Sequence, residues 1–493
     1  MTATTATIRR TWTSLIPGGD RHPYRTAAWR PQHNEWDADD LDVVAGQIPA
    51  DLDGLYVRNT ENPLVPAFER YHPFDGDGML HAIRLQSGRA RYKNRFVPTE
   101  GLARELAAGG PVYAGIAEDP RRSAHTGWGA RGGLKDASST DVVVHRGRVL
   151  STHYQCGDAY GFAAESMDFL GRESWVPQDT GISAHPKVCP HTGELHYFRY
   201  GKQAPYMHYG VVDARGDRIH DIPVALPGPR LPHDMALSAR HVIFNDFPIF
   251  WDPDLLARGI HRPVYRPDMP SRFAVVPRRG RPEDIRWFEA RATYVLHFVN
   301  AFEDGDDVVL DGYAQQNPMP KPLAEHGEYA WLMRQVDLAS LQPQLRRWRF
   351  NLVTGKTTEE DLQASLSEFP SLSDRVAGTR HRHVHAMTAK PGWFMFNGLL
   401  HTDLETGREQ AFTYDDGVFC SESPVAPRTG GAAEDDAYLV TFTMDTIRDV
   451  SECHIFDARH LADGPIARVR LPERIASGTH ATWAAGPQLR APA

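Results

Sequence analysis

The chain has 493 residues, 41% of them hydrophobic and 24% charged, with a formal net charge of −9. That composition supplies a large core, and it lacks the Lys/Arg blocks of a nucleic-acid footprint. Four scattered cysteines (Cys156, Cys189, Cys420, Cys453) form no CxxC pair, which argues against a zinc ribbon or a disulfide framework and fits a reducing compartment.

The opening run MTATTATIRRTWTSLIPGGD has no apolar signal core. No stretch reaches the roughly 18 apolar residues of a bilayer span. A cytoplasmic location is expected, with residues 1–35 as an N-terminal extension of a single domain spanning residues 1–493. Glu100 to Ala108 reads as a short helix. DVVVHRGRVLSTHY then reads as strand, Arg-Gly turn, strand. ELHYFRYG, YGVVDARGDRIHDIPV, HVIFNDFPIF, YVLHFVNAF, DDVVLDGYA and RWRFNLVTGK continue the β pattern. Glu359 to Ser367 reads as a second short helix, followed by the β runs GWFMFNGLLHTDLETGREQAFTY and AYLVTFTMD. HTGE, DARGD, EDGDD, VTGK and ETGR supply hairpin turns between strand pairs. So many hairpins point to radial repetition. We expect an all-β fold, a seven-bladed β-propeller with short helical insertions capping one face. A pair of β-sandwiches is the structural alternative.

GISAHPKVCPHTGELHYF (Gly181 to Phe198) holds three of the chain's 24 histidines. His191 lies in a turn and should be exposed. His196 lies in the next strand and could point outward. His185 precedes a proline, which favours extended backbone and leaves its ring at an element end. His233 (LPHDMAL), His297 (LHFVNAF) and His480 (GTHATW) sit in comparable places. Separations of 48, 64 and 183 residues put the four on different blades, so they can meet only on a propeller axis. Any one of them alone is more often structural than a ligand.

The motifs around them resemble the carotenoid cleavage oxygenase family, from about Asp42 to Trp483. FDGDGMLHAI is similar to a family hallmark. AHPK, LPHDMAL, LHFVNAFEDGD and GTHATW place His185, His233, His297 and His480 where the family has its iron-ligating histidines. SEFPSLSDR and FCSESPVAPR bring Glu368 and Glu422, which the resemblance implies as carboxylate partners of those imidazoles. LKDASSTDVVVHRGRVL and YQCGDAY look most like the bacterial lignostilbene-cleaving branch. Lys135 matches a lysine that contacts the substrate phenol there. The matching tyrosine is missing from TEGLAREL. A further family glutamate is replaced in HYQCG by Tyr154 or Gln155, which would leave His185 without a carboxylate.

The implied activity is a non-haem Fe(II) dioxygenase that uses O2 and no organic cofactor to split a C=C bond of a hydrophobic or aromatic conjugated alkene. Four neutral imidazoles suit Fe(II) and leave two of six positions open. Their outward N–H groups need acceptors, a role for Glu368 and Glu422. Glu303 reads equally as such an acceptor or as a turn cap. Phe74, Tyr154, Phe302 and Trp483 could line an apolar tunnel or serve ordinary packing. IFWDPDLL reads either as a lip for peripheral membrane contact or as a buried helix start. RHRHVHA, with His381, His383 and His385 exposed on one face of a strand, reads as structural or as a strand that supports the ligand histidines after Glu368. Two other function classes stay open. HTD (His401 to Asp403) fits a two-His-one-carboxylate oxygenase, and a non-catalytic propeller would bind a protein partner. The pattern is also compatible with a homodimer.

Overall fold

In the computed structural model, residues 5–126, 129–362 and 365–490 are described. The chain is mostly strand, 42% against 13% helix, which makes the fold all-β as expected. Two compact units divide it: Met1–Ala184 with Ala214–Gly216 and Phe412–Ala493, and His185–Asp213 with Asp217–Ala411. No helix among the described residues is long and apolar enough to cross a membrane.

The first unit contains a six-stranded antiparallel sheet in the order Thr5–Thr11, Asn34–Asp39, Arg89–Phe96, Met79–Gln86, Gly54–Arg58, Ala481–Ala485. The chain's last strand pairs with Gly54–Arg58, Ala481 opposite Arg58 and Ala485 opposite Gly54, so segments from both ends of the sequence share one ladder. Asp141–His145, Arg148–Thr152, Tyr160–Ala163 and Phe169–Arg172 form a four-stranded meander. Leu55, Val57, Leu80, Val142, Val149 and Phe162 share one buried cluster. Strand alternation sends these side chains to a common face. Gly54 is required by close approach: a Cβ there would lie 2.2 Å from the Trp483 ring and 2.6 Å from the Ala484 carbonyl oxygen. Gly54→Val is therefore expected to cost about 1–3 kcal/mol by overpacking, read from urea unfolding.

The second unit is built from repeated antiparallel meanders. Lys187–Val188, Leu195–Tyr200, Tyr206–Val212 and Arg218–Ala225 make the first. Ala236–Leu237, His241–Asp246, Ser271–Pro277 and Arg286–Ala290 make the second. Val295–Asp304, Asp307–Gln315, Pro343–Asn351 and Thr357–Asp361 make the third. Glu368–Ser371, His383–Ala389 and Phe396–Asp403 follow. Phe273, Phe288, Phe298, Trp348 and Phe350 pack together in this unit's core. Large aromatic surfaces removed from water dominate such a core.

All five predicted hairpin turns form, each with its glycine at positive φ: Gly193 (69°), Gly216 (96°), Gly305 (63°), Gly355 (73°) and Gly407 (67°). The helix Glu100–Ala108 forms as expected, capped by Thr99 and ended by Gly109 in the left-handed region. The second expected helix does not. Glu359 to Asp361 lie in the strand Thr357–Asp361, residues 363–364 fall outside the described residues, and Glu368 opens another strand. Cross-strand pairing decides this. Glu359 sits opposite Trp348, and Arg346 holds Asp361 at 2.6 Å. The predicted helix at IFWDPDLL exists as Pro253–Ala257, capped by Asp252, but it buries none of its residues.

Candidate metal centre

Each meander of the second unit opens at a residue singled out in the sequence. His185 stands two residues before Lys187–Val188, and His233 three before Ala236–Leu237. His297 lies inside Val295–Asp304, and Glu368 begins Glu368–Ser371. The structure brings the three histidines together. The Nε2 atoms of His185 and His233 face each other at 3.1 Å. The His297 ring centroid is 5.3 Å from each of the other two. A ligand nitrogen from each lies within 4.8 Å of the others, a group that could hold a metal ion. The fit is chemical as well as spatial. Two imidazole nitrogens bound at right angles to one ion, each at about 2.1 Å, would lie about 3.0 Å apart. An all-imidazole donor set suits a first-row divalent ion such as iron.

Glu368 orients His297. Its Oε2 lies 2.7 Å from His297 Nδ1 and accepts the Phe369 N–H at 2.6 Å. An ionised carboxylate only accepts, so Nδ1 carries the proton and Nε2 keeps its lone pair for a metal. Phe369 has φ of 55° and packs its ring 4.6 Å from the His297 ring. That contact was missed in the sequence, where EFPS carries no signal beyond a short apolar run. His185 also departs from expectation. Its φ is 62°, left-handed rather than the extended backbone expected before Pro186. Strain of this kind persists where surrounding structure over-determines the residue, and it concentrates at functional sites.

His480 lies in the first unit, just before Ala481–Ala485. Its Nδ1 is 3.3 Å from Glu422 Oε2, and the same oxygen accepts the Ala481 N–H. The pairing repeats the arrangement of Glu368 with His297.

Several expected partners lie elsewhere. Glu303 does not serve a ligand histidine. Its Oε1 accepts from Ser238 Oγ (2.7 Å), the Arg240 N–H (3.0 Å) and His241 Nδ1 (3.0 Å), so it caps the turn between two strands. Burial would raise its pKa, but these hydrogen bonds outweigh that and hold it at about 2. A carboxyl depressed below its unfolded value of about 4.3 contributes stability above that value and loses it as pH falls toward 2. The Tm advantage of wild type over Glu303→Gln is accordingly expected to be full at pH 7 and to shrink steadily below pH 4.3. Phe302 packs against His381 and lies under the guanidinium groups of Arg347 and Arg380. Phe74 and Tyr154 meet edge to face at 5.9 Å in the first unit. Lys135 is nearly enclosed, 7% exposed, with Nζ 2.9 Å from Asp77 and 3.1 Å from Glu105.

The remaining histidines divide as follows. His191 is exposed, as expected. His196 is fully buried rather than outward-facing, because its strand is an inner one of a four-stranded sheet, and its Nδ1 meets Tyr209 Oη at 2.8 Å. Burial lowers its pKa to about 3, so it is neutral. His381 and His385 are buried rather than exposed, His381 against Asp311 at 3.2 Å and His385 stacked on His401. The His-x-Asp pair does not gather as a metal triad. Asp403 is held by Arg382 at 2.8 and 2.7 Å, while His401 Nε2 meets His383 Nδ1 at 2.9 Å.

An all-β chain that gathers histidines from successive meanders, one of them aligned by a buried glutamate, carries the donor set of a metal centre. Residues 29–485 match the retinal pigment epithelial membrane protein family, and the chain belongs to that family. It is 30% identical to carotenoid 9,10(9',10')-cleavage dioxygenase 1 of Phaseolus vulgaris, over 95% of this chain and 90% of that protein. It is 28% identical to lignostilbene-alpha,beta-dioxygenase isozyme III of Sphingomonas paucimobilis, over 94% and 97%. The crystal structure of Pseudomonas brassicacearum lignostilbene dioxygenase superposes with a TM-score of 0.84 at 26% identity, covering 96% of this chain and all of that one. The shared fold is the β-propeller of these oxygenases. The chain is an oxidoreductase, a dioxygenase that cleaves a carbon–carbon double bond with O2.

Proposed function

We propose that His185, His233, His297 and His480 together hold one Fe(II), and that the enzyme cleaves an apolar, carotenoid-type conjugated alkene into two carbonyl products. The approach of the first three imidazoles, with His297 aligned by Glu368, carries the metal reading. His480 joins them on the strength of the family resemblance and of its own carboxylate partner, Glu422. Bound iron would supply the redox and Lewis-acid chemistry that lets O2 react with the alkene. The chain's own part is to present neutral imidazoles. Glu368 and Glu422 each accept the proton-bearing side of one ring and so fix which nitrogen faces inward. In this reading the active face belongs to a single catalytic domain, and Phe74 and Tyr154 supply apolar surface for the substrate.

The setting of Lys135 supports this choice of substrate class. A lysine that grips a phenol must present one of its three N–H donors to the ligand, and Lys135 is 7% exposed. Here the ammonium is engaged by two buried carboxylates, and no tyrosine occurs in Thr99–Leu106 to take the phenol instead. Lys135 then serves as a buried counter-ion, and the substrate needs no phenolic end. The likeness to the Pseudomonas brassicacearum enzyme supports a second reading, a stilbenoid substrate. Iron-loaded protein given air, two apocarotenals, resveratrol and isoeugenol separates the two by mass spectrometry. Shortened apocarotenals are expected. Aromatic aldehydes from the phenolic members alone would replace the first reading with the second.

A further inference from the structure

Asp234 follows His233 directly and is 1% exposed at its side chain. Its two carboxylate oxygens reach both of the other histidine-bearing segments of the second unit. Oδ1 takes the ammonium of Lys187 at 2.7 Å, and Lys187 stands two residues after His185. Oδ2 accepts the Phe298 N–H at 2.9 Å, and Phe298 follows His297. Oδ1 also accepts the Met235 N–H at 2.7 Å, and Asn245 Nδ2 donates to the Asp234 carbonyl oxygen at 2.9 Å. The backbone on both sides of the carboxylate is thereby fixed.

The third segment is shaped to meet it. The ladder between Val295–Asp304 and Asp307–Gln315 shifts register on both sides of Phe298. Such an irregularity frees a backbone group from strand pairing and re-aims the strand. The register passes over Leu296, His297 and Val299, while Phe298 stays opposite Gly312 and gives its N–H to Asp234 Oδ2, next to His297. Successive side chains of a strand point to opposite sides. Holding Phe298 by its N–H therefore constrains the direction of the His297 ring without touching that ring.

We propose that Asp234 is a positioning residue for the metal centre, the single carboxylate that sets the three histidine-bearing segments of the second unit at the spacing an ion requires. The proposal rests on the reading that these histidines hold iron. Glu368 fixes the rotation of one imidazole, whereas Asp234 fixes the separation of three backbones. Separation errors act on every bond to the metal at once.

The test uses the full chain, stripped of metal and reloaded with Co(II), with affinity measured by chelator competition and coordination by the visible absorption spectrum. Asp234→Asn is expected to weaken Co(II) binding by about 10–100-fold, the range for partners of metal ligands, and to shift the spectrum. Lys187→Met, which leaves the Asp234 carboxylate and the Phe298 hydrogen bond in place, is expected to give a smaller loss in the same direction. Asp403→Asn breaks an ion pair of the same unit away from the centre and is expected to lower Tm with Co(II) affinity and spectrum unchanged. Wild-type affinity and spectrum in Lys187→Met and in Asp234→Asn would overturn the proposal. If Asp234→Asn fails to fold, Lys187→Met alone decides. Failure of the wild type itself to bind Co(II) or Fe(II) would overturn the metal reading beneath it, an outcome the wild-type titration distinguishes.

Discussion

His297→Ala is expected to purify with a small fraction of the wild-type iron and to show no measurable alkene cleavage. The ring stands within 5.3 Å of two other imidazoles, and its Nδ1 is committed to Glu368. Loss of a metal ligand's partner typically costs 10–100-fold in affinity, so loss of the ligand itself should cost on the order of 100-fold or more. Glu368→Gln should fall within that range rather than beyond it, because an amide can still accept from Nδ1 but without charge. His196→Ala is the matched control. His196 is as deeply buried and also hydrogen-bonded, but to Tyr209, so its loss should lower Tm and leave iron content intact. Iron by mass spectrometry beside Tm for the three variants separates ligand, ligand partner and core residue. Equal iron in His297→Ala and wild type would remove the centre from its proposed place.

Lys135→Met is expected to destabilise the protein by about 3–5 kcal/mol, the cost of leaving buried charge without its partner. Asp77 and Glu105 are each 1% exposed, and both approach the one ammonium. Burial alone would lower the lysine's pKa, but the attraction of Asp77 and Glu105 raises it above the ordinary value instead. The sign follows from linkage. The stabilisation is complete below the unfolded value of about 10.4 and is lost only as pH rises through the higher folded value. Lys135→Met should thus be less stable across the whole neutral range. Asp77→Asn added to Lys135→Met should recover part of the loss. A lysine that contacts substrate predicts the reverse: near-normal unfolding with KM raised for phenolic substrates. Urea unfolding together with KM for one stilbenoid and one apocarotenal distinguishes the two.

Much of the candidate site was legible in the chain because the proposed ligands sit in short motifs that resemble those of a known family. HPK, PHD and THATW place an imidazole beside the start of a short strand, and EFPS and CSES carry their carboxylates the same way. Hairpins were equally legible. A Gly at positive φ between two β runs is a local requirement, and all five such turns are present. What failed were the judgments that depend on packing. Glu303 is close to His297 in sequence, yet it caps the Ser238–His241 turn, because a strand carries it away from the centre. His196 and His385 look like outward-facing strand residues, but inner strands of these sheets are covered on both faces. Glu359 to Asp361 has helical composition and becomes a strand, since cross-strand partners outweigh a weak intrinsic preference.

The all-β class and the turns were legible from residue type and near neighbours, whereas the histidines and glutamates proposed to serve a metal stood out only through the family motifs around them. Only the tertiary structure decided which groups meet. The approach of His185, His233 and His297, the clasp of Asp234 on Lys187 and the Phe298 N–H, and the enclosure of Lys135 all join residues tens of positions apart. Such contacts are set by how sheets stack and where a strand shifts register, and no local pattern records that.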